Sequence, residues 1–154
     1  MKQLIAKQLE SLNQEQTINI AKSIGFKLQG GECIELIGDI GSGKTTFVRG
    51  LAKGAGSSDH ISSPTFTISK IYETPNFKIA HFDFYRLHEA GMIDHEIEEA
   101  VHDKETVIVV EWSDIVQHVL PKERLTINIS STAENKRFMK FQTPENLSYL
   151  LESL

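Results

Sequence analysis

The sequence predicts an α/β fold, a three-layer sandwich in which a mixed sheet with a parallel core carries helices on both faces. Three observations lead there. Cys33-Ile34-Glu35-Leu36-Ile37 is a short, mostly apolar run with strand character. It passes through a glycine-rich loop into Thr46-Phe47-Val48-Arg49-Gly50-Leu51-Ala52-Lys53, where Phe47, Val48, Leu51 and Ala52 share one helical stripe. Val107-Ile108-Val109-Val110 is the most apolar run in the chain and reads as a strand buried on both faces. Buried parallel strands demand helices above and below, so the runs 33–37, 79–82 and 107–110 are expected to form the parallel centre.

Taken in order, residues 3–9 suit a short edge strand. Asn13 is placed to cap a helix over 14–27, with Gln16 completing a capping box and Thr17, Ile20, Ala21, Ile24 and Leu28 at helical spacing around Gly25. Gln29-Gly30-Gly31-Glu32 is a turn before the first central strand. Gly54 and Gly56 stop the next helix. Residues 66–72 alternate and are rich in β-branched side chains, and 78–82 read as their hairpin partner across the turn 73–77. Residues 92–102 form a short acidic helix with Met92, Ile93, Ile97, Ala100 and Val101 inward. A short helix over 113–119 is expected before Pro121, then a hairpin of 125–129 and 137–141. A terminal helix over 145–153 is expected, capped near Thr143 with Pro144 at its first position.

At 154 residues without a linker or repeat, the chain is expected to be one domain, residues 1–154. A net charge of −5 argues against a broad sequence-independent nucleic-acid surface, and so against DNA. Cys33 is the only cysteine, which excludes an internal disulfide and points to a small buried hydrophobe. No apolar run approaches the roughly 18 residues of a membrane span, and the N-terminus lacks a signal-peptide core. The expectation is a cytoplasmic protein that does not meet the membrane.

Gly38-Asp39-Ile40-Gly41-Ser42-Gly43-Lys44-Thr45 fills every fixed position of GxxxxGK[ST], the phosphate-binding P-loop, in the strand–loop–helix context the motif requires. Its glycines let the backbone approach an anion, and successive N–H groups point inward at the positive end of the following helix. Lys44 can reach β- and γ-phosphates, and the Thr45 hydroxyl can ligate Mg²⁺. The predicted fold is therefore P-loop NTPase-like, with a nucleoside triphosphate and Mg²⁺ as expected cofactors. The guanine-reading pattern NKxD fails, since Asn135-Lys136 is followed by Arg137-Phe138, so ATP is the expected nucleotide.

Such a site needs an acid near the metal at the end of a neighbouring strand. Glu111 follows four branched apolar residues and is assigned to Mg²⁺, directly or through water. Asp83 ends the 78–82 strand and is assigned to the metal's water shell or the attacking water. Ser63-Pro64-Thr65 lies where nucleotide switches place a segment ordered by the γ-phosphate, with the Thr65 hydroxyl as the group of interest. Trp112 is expected to line the nucleotide site or a partner surface. His81, His88, His95 and His102 recur every seven residues, but no cysteine or carboxylate completes ligand spacing, so zinc is not expected.

Together these motifs resemble the TsaE family, the P-loop ATPase subunit of the bacterial tRNA threonylcarbamoyladenosine system. The resemblance covers nearly the whole chain. It rests on Gly38–Thr46, Arg49-Gly50, Ser63-Pro64-Thr65-Phe66, His81-Phe82-Asp83-Phe84-Tyr85-Arg86 and Glu111-Trp112, in that order. Phe84 replaces a usual leucine and Ser113 a usual proline, neither of them a proposed ligand group. The family also has a late arginine in its C-terminal hairpin, matched by Arg137. The resemblance implies ATP hydrolysis, the whole loop Gly38–Thr46 with Trp112 and Arg137 at the nucleotide, and two glycoprotease-like partner subunits. Those partners would carry out the transfer to tRNA, which this chain would meet only indirectly. Two rival readings are a small-molecule P-loop kinase, for which 86–102 offers Arg86 alone as a lid arginine, and a nucleotide-gated binding module.

Overall fold

The computed structural model describes residues 4–91 and 93–154. One seven-stranded sheet runs through it. The strands are β1 (Leu4–Ser11), β2 (Cys33–Ile37), β3 (Ser69–Glu73), β4 (Lys78–Asp83), β5 (Thr106–Glu111), β6 (Leu125–Ser131) and β7 (Arg137–Pro144). Their order is β1-β7-β6-β2-β5-β4-β3. The four central strands β6, β2, β5 and β4 are parallel; β3 pairs antiparallel with β4 at one edge, and at the other β7 pairs antiparallel with both β6 and the chain's first strand, β1.

Alternation along the central strands sorts their side chains into two cores. Ile34, Leu36, Ile79, Val107, Val109, Leu125 and Ile127 face α1 (Gln14–Lys27) and α2 (Lys44–Gly54). Cys33, Ala80, Phe82, Ile108 and Val110 face α3 (Ile93–His102). The sandwich thus has helices on both faces, as buried parallel strands require. Cys33 is buried in the second core, and that burial pushes its thiol up to about 12.

Helix α1 spans the predicted residues. Asn13 Oδ1 accepts from Gln16 N at 2.9 Å, and the Gln16 side chain reaches back to Leu12 N at 2.8 Å, one residue beyond the usual box partner. The reason for Gly25 is visible at the crossing with α2. A Cβ there would sit 2.1 Å from the Leu51 carbonyl oxygen, and one at Gly50 would sit 2.6 Å from Ala21 Cβ. The helices pack backbone to backbone, and this contact seats α2 under the P-loop.

Several boundaries differ from expectation. The edge strand is Leu4–Ser11, and residue 3 lies outside the described residues, as does Met92 of the acidic helix. The strand expected over 66–72 starts only at Ser69, because the Pro64 carbonyl accepts from both Thr67 N and Ile68 N and closes a turn with Ile68 at φ 70°. The helix expected over 113–119 is a single 3-10 segment, Ser113–Val116. The terminal helix is also 3-10, Glu145–Leu151. Pro144 precedes it with extended ψ 163°, and Thr143 is a buried β7 residue paired with Ile5, so neither plays its expected part.

A buried polar cluster lies on the α3 side of β2. Glu35 Oε1 accepts from Arg124 Nε at 3.1 Å, and Oε2 accepts from Ser113 Oγ and from Gln117 Nε2 at 2.6 Å. Burial alone would raise the Glu35 carboxyl, but these hydrogen bonds and the Arg124 charge outweigh it and hold the group below the usual carboxylate value.

Two outcomes follow for stability. Gly25→Ala, which in an open helix would gain about 1 kcal/mol of propensity, should instead destabilise by roughly 1–3 kcal/mol, because the new methyl meets a carbonyl. A fall in the urea midpoint checks it. Arg124→Met leaves Glu35 buried without its cation and should cost roughly 3–5 kcal/mol at neutral pH. Since the folded Glu35 pKa lies below its unfolded value, the stabilisation is present above the carboxylate range and lost as pH falls through the folded pKa. The difference between variant and parent should therefore shrink on acidification.

Candidate active site

Strand β2 ends at Ile37, and the loop Gly38–Gly43 turns the chain into α2. Gly41 at φ 79° and Gly43 at φ 106° adopt left-handed backbone that a side chain would resist. Gly38 is excluded from carrying a Cβ for another reason: the atom would lie 2.5 Å from the Ile129 carbonyl oxygen of β6. Beside this loop is a cleft of about 400 Å³, of a size that holds a small ligand.

The cleft gathers residues from five elements. Asp39, Ile40, Gly41, Gly43, Lys44, Thr45 and Thr46 come from the loop and the start of α2. Ser63 and Thr65 come from the segment before β3, Asp83 and Tyr85 from the end of β4, Glu111 and Trp112 from the end of β5, and Arg137 from the start of β7. Of the residues assigned to the nucleotide, the metal and the attacking water, only Gly38 and Ser42 do not line it; they lie within the loop itself. Tyr85 was not singled out as a site residue, although its place two residues after Asp83 was a usable signal.

The two acids stand side by side because β4 and β5 are parallel and Asp83 pairs with Glu111. Both are buried. Asp83 Oδ2 accepts from Thr65 Oγ1 at 2.8 Å, and Oδ1 accepts from Tyr85 N at 2.9 Å. Thr65 Oγ1 also meets Ser63 Oγ at 2.6 Å. Glu111 Oε2 lies 2.6 Å from His81 Nε2, deep in the sheet. Arg86 does not pair with Asp83; its guanidinium lies 4.2 Å from the centroid of the exposed Phe66 ring.

Lys44 is largely buried and donates to the Gly38 carbonyl and, at 3.1 Å, to that of Asp39. Its ammonium lies 4.6 Å from the Trp112 ring centroid. Burial lowers the Lys44 pKa, against the opposing pull of Glu111, then Asp83, then Asp39. Trp112 itself has φ 53° and ψ 53°, a conformation that costs a bulky residue on the order of 1–3 kcal/mol. The turn swings its ring out of the sheet onto Tyr85, at a centroid distance of 5.0 Å.

Arg137 fastens the loop from outside. Its Nε donates to the Ser42 carbonyl at 2.8 Å, while Nη1 donates to the Ala133, Glu134 and Lys136 carbonyls of the β6–β7 turn at 2.9–3.2 Å.

The donor set suits a polyphosphate with a hard divalent cation. Ser42 Oγ is buried in the loop with no hydrogen-bond partner among the described residues. The loop glycines leave a cradle free of Cβ atoms beside a lysine and a helix N-terminus. Thr45, Asp83 and Glu111 supply only oxygen, the chemistry Mg²⁺ prefers, and such a site completes its shell with phosphate and water. No group of three or more His, Cys, Asp or Glu side chains with metal-holding geometry occurs among the described residues.

Comparison with known proteins agrees on one family. The family model described as "Threonylcarbamoyl adenosine biosynthesis protein TsaE" matches residues 11–139. A Rickettsia felis protein named tRNA threonylcarbamoyladenosine biosynthesis protein TsaE is 36% identical over 144 residues, which is 92% of this chain and 83% of that protein. The Bacillus subtilis protein of the same name is 36% identical over 146 residues, covering 95% and 89%. The crystal structure of Bacillus subtilis YdiB matches with a TM-score of 0.76 and 31% identity, over 99% of this chain and 95% of that one.

Because Arg137 bonds both the loop and the β6–β7 turn, Arg137→Ala should speed amide hydrogen exchange across 41–44 in the nucleotide-free protein by roughly 10-fold or more, with the central β2–β5 ladder unaffected. Unchanged exchange at 41–44 would remove the arginine's structural part.

Proposed function

This chain belongs to the TsaE family, and on that premise we propose that it binds and hydrolyses Mg²⁺–ATP in support of tRNA threonylcarbamoyladenosine formation. The observation that carries the reading is the convergence of Lys44, Thr45, Asp83 and Glu111 on one cleft beside a P-loop. No helix among the described residues is long and apolar enough to cross a membrane, which accords with work on tRNA in the cytoplasm.

The loop N–H groups bind phosphate oxygens, and Lys44 exchanges its two loop carbonyls for the β- and γ-phosphates. Thr45 and Glu111 would hold Mg²⁺, which would supply charge neutralisation for the transferred phosphate. Asp83 and Thr65, already bonded to each other, sit on the γ-phosphate side and position the water. That water attacks the γ-phosphorus and gives up its proton toward the Asp83 carboxylate, the bond to the β-phosphate oxygen breaks, and ADP and phosphate leave. Trp112 closes the wall behind Lys44.

The threonylcarbamoyl transfer itself belongs, in this reading, to two glycoprotease-like partner subunits, with hydrolysis here resetting their complex. A kinase would need an acceptor and a lid arginine, and Arg86, the one arginine in 86–102, is stacked on Phe66. Phosphate release with water as the sole acceptor separates hydrolysis from phosphoryl transfer to a small molecule.

Lys44→Ala should abolish Mg²⁺–ATP hydrolysis, measured as phosphate release with the partner subunits present; hydrolysis at the parent rate would refute the site. Glu111→Gln should weaken Mg²⁺–ATP binding and the rate together. Asp83→Asn should bind nearly normally yet turn over about 100-fold or more slowly, the range for losing a general base. The opposite pattern in calorimetry and kinetics would exchange the two roles.

A further inference from the structure

We propose that His81 and Tyr72 are positioning residues that couple Glu111 to the segment Ser62–Thr65, so that the two acids of the cleft are set as one unit. The inference rests on the hydrolysis reading above. It concerns a buried chain of side chains that this reading does not itself require.

His81 is fully buried on β4, two residues before Asp83 and therefore on the same sheet face. Both ring nitrogens are engaged. Nε2 lies 2.6 Å from Glu111 Oε2, and Nδ1 lies 3.2 Å from the Tyr72 hydroxyl. Tyr72 reaches in from the edge strand β3, and its O–H donates to the Ser62 carbonyl at 2.9 Å. A carbonyl can only accept, so the Tyr72 hydrogen is spent there and its oxygen accepts from His81 Nδ1–H. That fixes the direction of every bond on the Ser62 side and leaves Nε2 to share a hydrogen with Glu111.

The chain closes on itself. Ser62 leads within three residues to Thr65, whose hydroxyl donates to Asp83. Asp83 pairs with Glu111 across β4 and β5. The circuit runs Glu111, His81, Tyr72, Ser62, Thr65, Asp83 and back to Glu111 through the ladder. A histidine kept only for packing would need one satisfied nitrogen on a nearby carbonyl. Here the two nitrogens lead to two different groups that line the cleft, the Glu111 carboxylate directly and, through Tyr72 and Ser62, the segment that carries Thr65. Displacing Ser62–Thr65 therefore pulls on the Glu111 carboxylate, and displacing Glu111 loosens the segment that carries Thr65. In a buried network such bonds reinforce one another, so losing one link is felt along the whole chain.

Three variants cut the chain at chosen points. Tyr72→Phe keeps the ring and removes the hydroxyl. His81→Gln keeps a donor near the Nε2 position, towards Glu111, and loses the Tyr72 contact. His81→Asn keeps a donor near the Nδ1 position, towards Tyr72, and loses Glu111. Each should lower kcat for Mg²⁺–ATP hydrolysis by roughly 10- to 100-fold, the scale of a small misplacement, with KM within about 2-fold. Because Tyr72→Phe and His81→Gln cut the same link, the double variant should be no slower than the worse single one. A second readout needs no nucleotide. Amide hydrogen exchange over 62–67 should speed up in all three variants, including His81→Asn, where the local Tyr72–Ser62 bond is intact. Parent-like exchange at 62–67 in His81→Asn overturns the coupling. Parent-like kcat in Tyr72→Phe, or a loss confined to KM, overturns the positioning role. If the parent protein itself releases no phosphate from Mg²⁺–ATP, the hydrolysis reading fails with it, while the exchange measurement still decides whether Glu111 and Ser62–Thr65 are coupled.

Discussion

The pairing of β4 with β5 is the constraint on which the rest of the site depends. In the observed register Asp83 lies opposite Glu111, and Leu36 of β2 lies opposite Glu111 on the other side. The P-loop therefore leaves β2 within two residues of the level at which both acids end. Hydrophobicity alone specifies this register weakly, because β4 and β5 are apolar on both faces and a one-residue slip would trade one core for the other. The polar groups specify it. A slip would separate His81 from Glu111, leaving the Glu111 carboxylate buried without its partner and His81 bonded to Tyr72 alone, at a cost of several kcal/mol. The pair that positions Glu111 also sets the strands that carry it.

The helical layer contributes the second half of the geometry. Gly25, Gly50 and Gly54 let α1 and α2 approach until backbone meets backbone. That contact fixes where the N-terminus of α2 points, and with it the loop amides and Lys44. From the other side Arg137 ties the loop carbonyls to the β6–β7 turn. The loop is thus held between a helix pair and a hairpin, which is how a segment rich in glycine is preorganised rather than loose. Preorganised dipoles are worth more to phosphate chemistry than dipoles that must be gathered on binding.

Most of the architecture was legible in the sequence because its signals are local. Asn13 and Gln16 announce α1, the run Val107–Val110 announces the central strand, and the loop motif fixes β2 and α2 together. The acids were legible because each ends an apolar strand. What was not legible depends on partners distant in the chain. Nothing near Glu35 indicates that Arg124 will neutralise it, and nothing near His81 names Tyr72. Period-two spacing does place His81 on the face of Asp83, but its recurrence every seven residues with His88, His95 and His102 carries no trace of the bonds it makes. The late start of β3 was hidden for a similar reason: 66–68 has strand composition, but the Pro64 carbonyl takes two of its amides into a turn. The terminal segment 145–151 has helical composition and lacks the side-chain cap an α-helix would want, since Thr143 is held in β7.

Trp112 allows the central claim, that this cleft receives Mg²⁺–ATP at Lys44, to be tested in one cuvette. It is the only tryptophan of the chain, and the Lys44 ammonium lies 4.6 Å from its ring. When Lys44 turns from the loop carbonyls to the phosphates, the cation leaves the indole face and the emission must change. Titration with ATP should give a saturable change that requires Mg²⁺ and is absent in Lys44→Ala. Unaltered Trp112 emission at ATP concentrations that calorimetry shows to be saturating would place the nucleotide elsewhere and contradict the account.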